Sequence, residues 1–265
     1  MTNLQVIIEA AFERRSELSP TSVDQKIRDA IEQTLTMLTT GQLRVAEKLA
    51  GEWVVHQWLK KAILLSLQLA DDSDLAQQSA DVNDWPPFQS PQQLAAPNQR
   101  FACRSAHIAE QVALMPCYIS HGAYVDQATQ IGAWAAIGSC AQIGKQVQLC
   151  DGVSIGSMLE PLSAKPTIIE DDCYIGASSV IADGVVIEQG SIIATGVTIG
   201  QSTRIYHRDS GATYHGRVPA GSVVVAGSLP YQDGKYSLNA AIIVRSVDAN
   251  TRATLGVDAL LRAAL

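Results

Sequence analysis

Residues 131–144 read Ile131-Gly132-Ala133-Trp134-Ala135-Ala136-Ile137-Gly138-Ser139-Cys140-Ala141-Gln142-Ile143-Gly144. Isoleucine returns at every sixth position, glycine follows each one, and alanine stands four places after the first two. A period of six is neither the 3.6 of a helix nor the simple alternation of a strand. It is the period of a hexapeptide coil, in which three short parallel strands make one turn.

The pattern extends both ways. Ala113, Ile119 and Val125 precede it, and Leu149 and Ile155 follow. A second register runs through Ile169, Ile175, Ile181, Ile187, Ile193, Ile199 and Ile205. Small or β-branched residues recur four places on, as in Ala123, Thr129, Val153, Cys173, Ser179 and Val197. The expected fold is mainly β, a left-handed parallel β-helix. Aliphatic side chains point into the prism, small residues fill its tight interior, and each coil hydrogen-bonds to the next. Such a prism holds no internal cavity, so a ligand must bind outside. Its flat faces suit packing against two copies, giving a homotrimer with clefts between neighbours.

Ile155 and Ile169 are 14 residues apart, two more than two repeats. The excess lies within Gly156 to Thr167, around Met158-Leu159-Glu160-Pro161-Leu162. A bulge on a rigid coil is a usual place for function, and equally a tolerated loop.

The first third reads as helical. Leu4, Ile7, Ile8, Ala11 and Phe12 form one stripe, and Ile27, Ile31, Leu35 and Leu38 form another that ends near Gly41. Trp53 to Leu69 reads as a third amphipathic segment. Residues 71–100 hold Asp71, Asp72, Asp74 and the prolines 86, 87, 91 and 97, the composition of a linker. The expected division is a helical N-terminal domain and linker over 1–100, the β-helix over 101–206, and a small α/β C-terminal extension over 207–265. In that extension a strand is expected within Tyr236 to Val247 and a helix from Thr251 to Leu265.

Of the 265 residues 47% are hydrophobic and 17% charged, the composition of a folded core. The net charge of −7 argues against nucleic acid or an anionic membrane as the main partner. Met1 to Glu9 lacks a basic stretch followed by an apolar core, and no run approaches the ~20 apolar residues of a membrane span. The five cysteines include no CxxC pair, so neither a disulfide framework nor a metal site is expected. Reduced thiols and a cytoplasmic location fit better.

Longer runs go further. Ala11-Phe12-Glu13-Arg14-Arg15, Leu43-Arg44-Val45-Ala46-Glu47-Lys48 and His56-Gln57-Trp58-Leu59-Lys60-Lys61-Ala62 stand in the N-terminal part. Gly122-Ala123-Tyr124-Val125-Asp126, Leu159-Glu160-Pro161-Leu162, Gly200 to Tyr206 and Asp233-Gly234-Lys235-Tyr236 follow in order. On these runs the chain resembles the tetrahydrodipicolinate N-succinyltransferases of the succinylase (diaminopimelate) branch of lysine biosynthesis, over nearly its whole length apart from about residues 70–111. The resemblance implies a trimer that binds succinyl-coenzyme A in a groove between subunits. It implies acyl-coenzyme A as a co-substrate, with no tightly bound cofactor. The acyl group then passes to the amino group of an acyclic form of tetrahydrodipicolinate.

The chain departs from the family at the positions that would carry the chemistry. Where the family has Val-Asp-Thr-Trp-Ala, this chain has Ile131-Gly132-Ala133-Trp134-Ala135. Where it has Gly-Ala-Arg-Ser-Glu, this chain has Gly176-Ala177-Ser178-Ser179-Val180. Two carboxylates become Gly132 and Val180, and an arginine becomes Ser178. An amine attacks a thioester only when neutral, and a free alkyl amine has a pKa of ~10.4. A base must take its proton, which glycine and valine cannot do.

Replacement catalytic groups are Asp126, which could equally cap a turn, His121, for which a surface role is the commoner reading, and Glu160, for which a solvated loop carboxylate is the commoner one. The acceptor side is expected at Gly132, Trp134, Ser139 and Ser178. Gly156, Ala177, Ala194 and Gly200 are small enough to admit the pantetheine arm, though coil turns call for small residues too. Arg217 and Lys235 could meet the phosphates. Cys140, beside Ser139, reads as a small buried thiol. Three readings follow. One is an N-acyltransferase moving succinyl or acetyl to tetrahydrodipicolinate or a related amino-dicarboxylate, in a specialised pathway branching from lysine biosynthesis. Another is the ordinary lysine-pathway enzyme. The third is a non-catalytic trimer that binds coenzyme A or a partner subunit.

Overall fold

The computed structural model describes residues 2–70, 102–156 and 158–262. The linker expected over 71–100 lies outside the described residues. Helices α1 (Thr2–Glu13), α2 (Gln25–Thr39) and α3 (Gln57–Gln68) pack on one another. Asp24 caps α2, its carboxylate accepting from the Lys26 amide at 3.0 Å. The buried stripe of α2 is Ile27, Ile31, Leu35 and Leu38, which meets Ile8, Phe12, Trp58 and Ile63.

The segment read as one amphipathic stretch from Trp53 is two elements. Antiparallel strands β1 (Ala46–Leu49) and β2 (Glu52–Val55) form a hairpin, and α3 starts only at Gln57. Ala50 and Gly51 both take positive φ, which a tight hairpin turn demands. The β-branched pair Val54-Val55 then favours the strand.

From His107 the chain forms two-residue strands that cycle through three parallel sheets. The first sheet stacks Ala113–Leu114, Gln130–Ile131, Gln148–Leu149, Tyr174–Ile175 and Ile192–Ile193. The second stacks Tyr118–Ile119, Ala136–Ile137, Ser154–Ile155, Val180–Ile181 and Thr198–Ile199. The third stacks His107–Ile108, Tyr124–Val125, Gln142–Ile143, Ile168–Ile169, Val186–Ile187 and Arg217–Val218. The second residue of each pair points into one continuous core, with Ile137, Ile143, Ile175 and Ile187 wholly buried. Each such side chain contributes about 1.5–3 kcal/mol of burial. The small positions Ala135, Ala141, Val153 and Cys173 fill the same core.

Two details differ from the sequence pattern. Ala113 is exposed, and Leu114 pairs with Ile131 in the inward position. The corner between Leu114 and Ile119 is therefore one residue shorter than the others. The ladders also run past residue 206. Arg217–Val218 pairs with Val186–Ile187, and Val223 and Val224 pair with Ile192 and Ile193. Arg204–His207 instead leaves the stack to pair with the Tyr236–Ser246 strand. That strand forms a long antiparallel hairpin with Ser222–Tyr231.

Helix α4 (Ala249–Arg262) is interrupted at Gly256 and buries Leu260 against Ile192, Val223 and Val244, over the outer side of the first sheet. The N-terminal domain covers the third sheet: Arg44 Nε donates to Gln142 Oε1 at 2.6 Å, and Lys48 Nζ and Trp53 Nε1 both reach Glu170 Oε1. α3 also closes on the corner at Gly122, where φ is +68° and a Cβ would lie 2.6 Å from Ile63 Cδ1. The second sheet keeps Tyr118 and Val180 exposed, with Met115 and Trp134 exposed at its border. Among the described residues no helix is long and apolar enough to cross a membrane.

Candidate functional site

The three corners of the coil decide which side chains can meet. The corner from the first sheet to the second carries Gly132, Trp134, Ala177, Ser178 and Ala194. Coil-to-coil hydrogen bonds hold this edge in register: Trp134 N to Pro116 O at 2.7 Å, Ser178 N to Asp151 O at 2.9 Å, and Gly196 N to Ala177 O at 2.9 Å. Trp134 is 72% exposed with φ of +61°, so its ring stands out from the edge. Five of the residues expected at a site are therefore brought together here.

Sequence reasoning missed Asp151 on the same edge. It lies one coil above Ala133, and its Oδ1 accepts from the Ala133 amide at 2.8 Å. A Cβ on Gly132 would lie 2.5 Å from that Oδ1 and 2.7 Å from the Asp151 amide nitrogen. The space beside Gly132 is thus filled by the neighbouring coil's carboxylate. Gly144 with Asp171 repeats the arrangement, with Lys145 N donating to Asp171 Oδ1 at 2.8 Å, so the device also caps the corner. What distinguishes Asp151 is its place on the open edge beside Trp134. The signal for it was the coil length itself: a residue two places after Leu149 stacks on one two places after Ile131.

The second corner holds His121, Ser139, Gly156, Gly200 and the insertion with Glu160. The Ser139 hydroxyl is buried 2.8 Å from that of Ser120. His121 donates Nδ1–H to the Arg104 carbonyl at 3.0 Å. The insertion is strapped to the N-terminal domain. Lys60 is wholly buried, and its ammonium donates to the carbonyls of Pro161, Leu162 and Ala164 at 3.2, 3.3 and 3.1 Å. Burial lowers the pKa of that ammonium. Leu159 and Leu162 pack against the helical core, which leaves Glu160 exposed on a tethered loop.

Asp126 lies at the third corner, where its Oδ1 accepts from the Gln127 amide at 2.8 Å. It lines a cleft of about 750 Å³ between the N-terminal domain and the third sheet, shared with Arg44, Trp53, His56 and Tyr124. The Arg44 guanidinium lies 4.0 Å from the centre of the Tyr124 ring. Within one protomer, then, Asp126 does not meet His121 or Glu160. Arg217 pairs with Glu188 at 3.1 Å on the third sheet. Lys235 sits at the exposed tip of the C-terminal hairpin, which is tied to the second sheet where Asn239 Nδ2 donates to Thr198 O at 3.3 Å. Cys140 is a buried thiol of the helical core, pushed up to about 12 by burial.

Comparison with known proteins concerns the chain as a whole. Residues 3–69 match a family described as tetrahydrodipicolinate N-succinyltransferase N-terminal, and residues 166–201 match one described as hexapeptide repeat of succinyl-transferase. A 2,3,4,5-tetrahydropyridine-2,6-dicarboxylate N-succinyltransferase of Sodalis glossinidius is 50% identical over 271 residues, covering 99% of this chain and 99% of the relative. Proteins of the same name from Acinetobacter baylyi and Pasteurella multocida are each 52% identical, covering 99% and 98% of this chain and 100% and 98% of their own.

Proposed function

The chain belongs to the tetrahydrodipicolinate N-succinyltransferase family and is an acyltransferase of the lysine (diaminopimelate) pathway class; from that premise we propose that it moves succinyl from coenzyme A to the amine of tetrahydrodipicolinate. The observation that carries this reading is near-full-length identity of about half to relatives bearing that activity in their names. The reaction site is the edge of Trp134, Ser178 and Asp151. The coil is a closed left-handed prism, and three copies assemble through their second sheets in the cytoplasm. Tyr118, Val180, Met115 and Trp134 are the exposed apolar residues that such an assembly would cover.

Asp151 supplies the carboxylate on this edge. It draws the cationic amine in, takes its ionising proton and passes it to solvent, so that the neutral nitrogen lone pair is aimed at the thioester carbonyl. The nitrogen–carbon bond forms as the carbon–sulfur bond breaks. One proton leaves the amine, and coenzyme A departs as a thiolate that takes up a proton. Gly156, Ala177, Ala194 and Gly200 let the pantetheine arm approach the backbone, and Lys235 reaches toward its phosphates.

A second reading concerns the acceptor and the donor. Ser178 and Val180 leave the edge without a cation or a second carboxylate at those positions, which favours a related amino-dicarboxylate in a specialised branch, or acetyl in place of succinyl. Thiol release from succinyl- and acetyl-coenzyme A, measured against tetrahydrodipicolinate and related amino-dicarboxylates, decides among them. Absence of acceptor-dependent thiol release supports a chain that only binds coenzyme A and would overturn the transfer reading.

A further inference from the structure

We propose that the cleft between the N-terminal domain and the third sheet binds a free α-amino acid as its zwitterion, with the carboxylate on Arg44 and the ammonium on Asp126. The site is separate from the acyl-transfer edge and does not rest on that reading. Its volume of about 750 Å³ falls within the range usual for small-molecule sites, about 300–1,000 Å³. It opens at the third sheet, not at the second-sheet face where copies are proposed to meet.

The anion end is built around one guanidinium. Arg44 stands just before β1, and its Nε donates to Gln142 Oε1 at 2.6 Å. Gln142 is itself buried and held, because its amide nitrogen donates to the Cys140 and Ala141 carbonyls at 2.8 and 3.2 Å. The guanidinium carbon then lies 4.0 Å from the centre of the Tyr124 ring and 5.5 Å from that of Trp53. These contacts hold the group in place and use only Nε. Among the described residues neither Nη donates a hydrogen bond, and no carboxylate stands within ion-pair distance of Arg44. Burial pulls this guanidinium below its usual range. A cation partly stripped of water, with its fork unused, is a seat for a carboxylate, which it takes through two parallel hydrogen bonds.

The other charges of the lining decide what else the ligand carries. Arg44, Lys48 and Lys145 are opposed by Glu47, Asp126, Glu170 and Asp171. Lys48 is already paired with Glu170 at 2.7 Å, and Glu47 with His56 at 2.6 Å. A plain anion would therefore enter a cleft with more negative than positive groups, whereas a zwitterion satisfies both signs. Asp126 is placed to take the ammonium. It follows Tyr124 by two residues, so both stand on the outward side of the same strand end. Of the lining carboxylates it acts most strongly on Arg44. Its Oδ1 caps the Gln127 amide at 2.8 Å, and its Oδ2 accepts from no described residue. Arg44 belongs to the N-terminal domain and Asp126 to the β-helix, so the ligand bridges the two walls and stabilises the docked domain by mass action.

The test uses the full chain. Each common α-amino acid is added in turn and the melting temperature followed, and calorimetric titration measures the affinity of those that raise it. At least one should raise it and bind. Its deaminated and decarboxylated counterparts keep the side chain and lose one charge, and each should bind about tenfold or more weakly, the loss of one charge-assisted hydrogen bond. Arg44→Lys keeps the charge and removes the fork, and Asp126→Asn keeps an oxygen for the Gln127 amide and removes the charge. Each should weaken binding by about the same factor. Asp126→Asn decides the matter even where Arg44→Lys loosens the domain. Asp151→Asn, on the reaction edge, should leave the affinity unchanged, which separates this site from the acceptor's. No binding by any amino acid, a deaminated counterpart that binds as tightly, an affinity indifferent to Asp126→Asn, or one lost with Asp151→Asn overturns the proposal.

Discussion

The second and third sheets are built from the same repeat, yet they meet different neighbours. Both bury inward isoleucines, wholly at Ile137 and Ile181 in one and at Ile143 and Ile187 in the other. Their outward residues differ. The third sheet presents Tyr124, Gln142 and Ile168, and the N-terminal domain covers them through Arg44, Lys48 and Trp53. The second presents Tyr118, 54% exposed, and Val180, with Trp134 beside them. Inward residues specify the coil, and outward residues specify what the coil touches. A face that keeps Tyr118 and Val180 open within one protomer is the place to expect another copy.

The largest way to break this contrast is to cut the strap on the covered side. Lys60→Met removes an ammonium from three carbonyls of the inserted loop and should lower stability by about 3 kcal/mol. Urea unfolding measures it, and a loss below about 1 kcal/mol means that the strap contributes little beyond packing.

On the open side, Asp151→Asn keeps an oxygen for the Ala133 amide but loses the charge. It should reduce kcat/KM about a hundredfold while leaving stability within about 0.5 kcal/mol. An unchanged rate removes Asp151 from the chemistry and leaves it a corner cap. Gly132→Asp in the same chain should not restore activity. Its Cβ would meet the Asp151 backbone nitrogen at 2.7 Å, and backbone yields less readily than a side chain.

Trp134→Ala should weaken self-association by about 2 kcal/mol, roughly 30-fold, without changing the secondary structure. Sedimentation across a concentration series reads this out, and identical profiles for both proteins move the interface elsewhere.

The smallest effect returns to the covered face. Glu170 is partly buried, which raises its pKa. Hydrogen bonds from Lys48, Trp53 and the Gln189 amide outweigh that and hold it below the usual carboxylate range. A carboxyl depressed on folding stabilises the fold above its unfolded value, about 4.3, and loses that contribution as pH falls through the folded one. Glu170→Gln should therefore cost about 1 kcal/mol at pH 7, and the gap should close below pH 4. A gap that is constant with pH shows that the charge is not what docks the domain there.

Much of this molecule was decided within short stretches of chain. Isoleucine at every sixth position leaves little choice but a three-strand coil, because a one-residue slip would turn the inward set out into water. The helical stripes of α1 and α2 were equally local. What only the tertiary structure decided depends on residues far apart in sequence. Leu114, and not Ala113, points inward because one corner is shorter, and hydrophobicity at neighbouring positions could not distinguish them. Asp151 faces Ala133 across 18 residues, and Lys60 meets Pro161 across 101. His121 reads as a lone surface histidine until the coil brings the Arg104 carbonyl to its ring. In a stacked coil, side-chain neighbours are set by the length of each turn and the size of each insertion. Those become known only once the turns are closed.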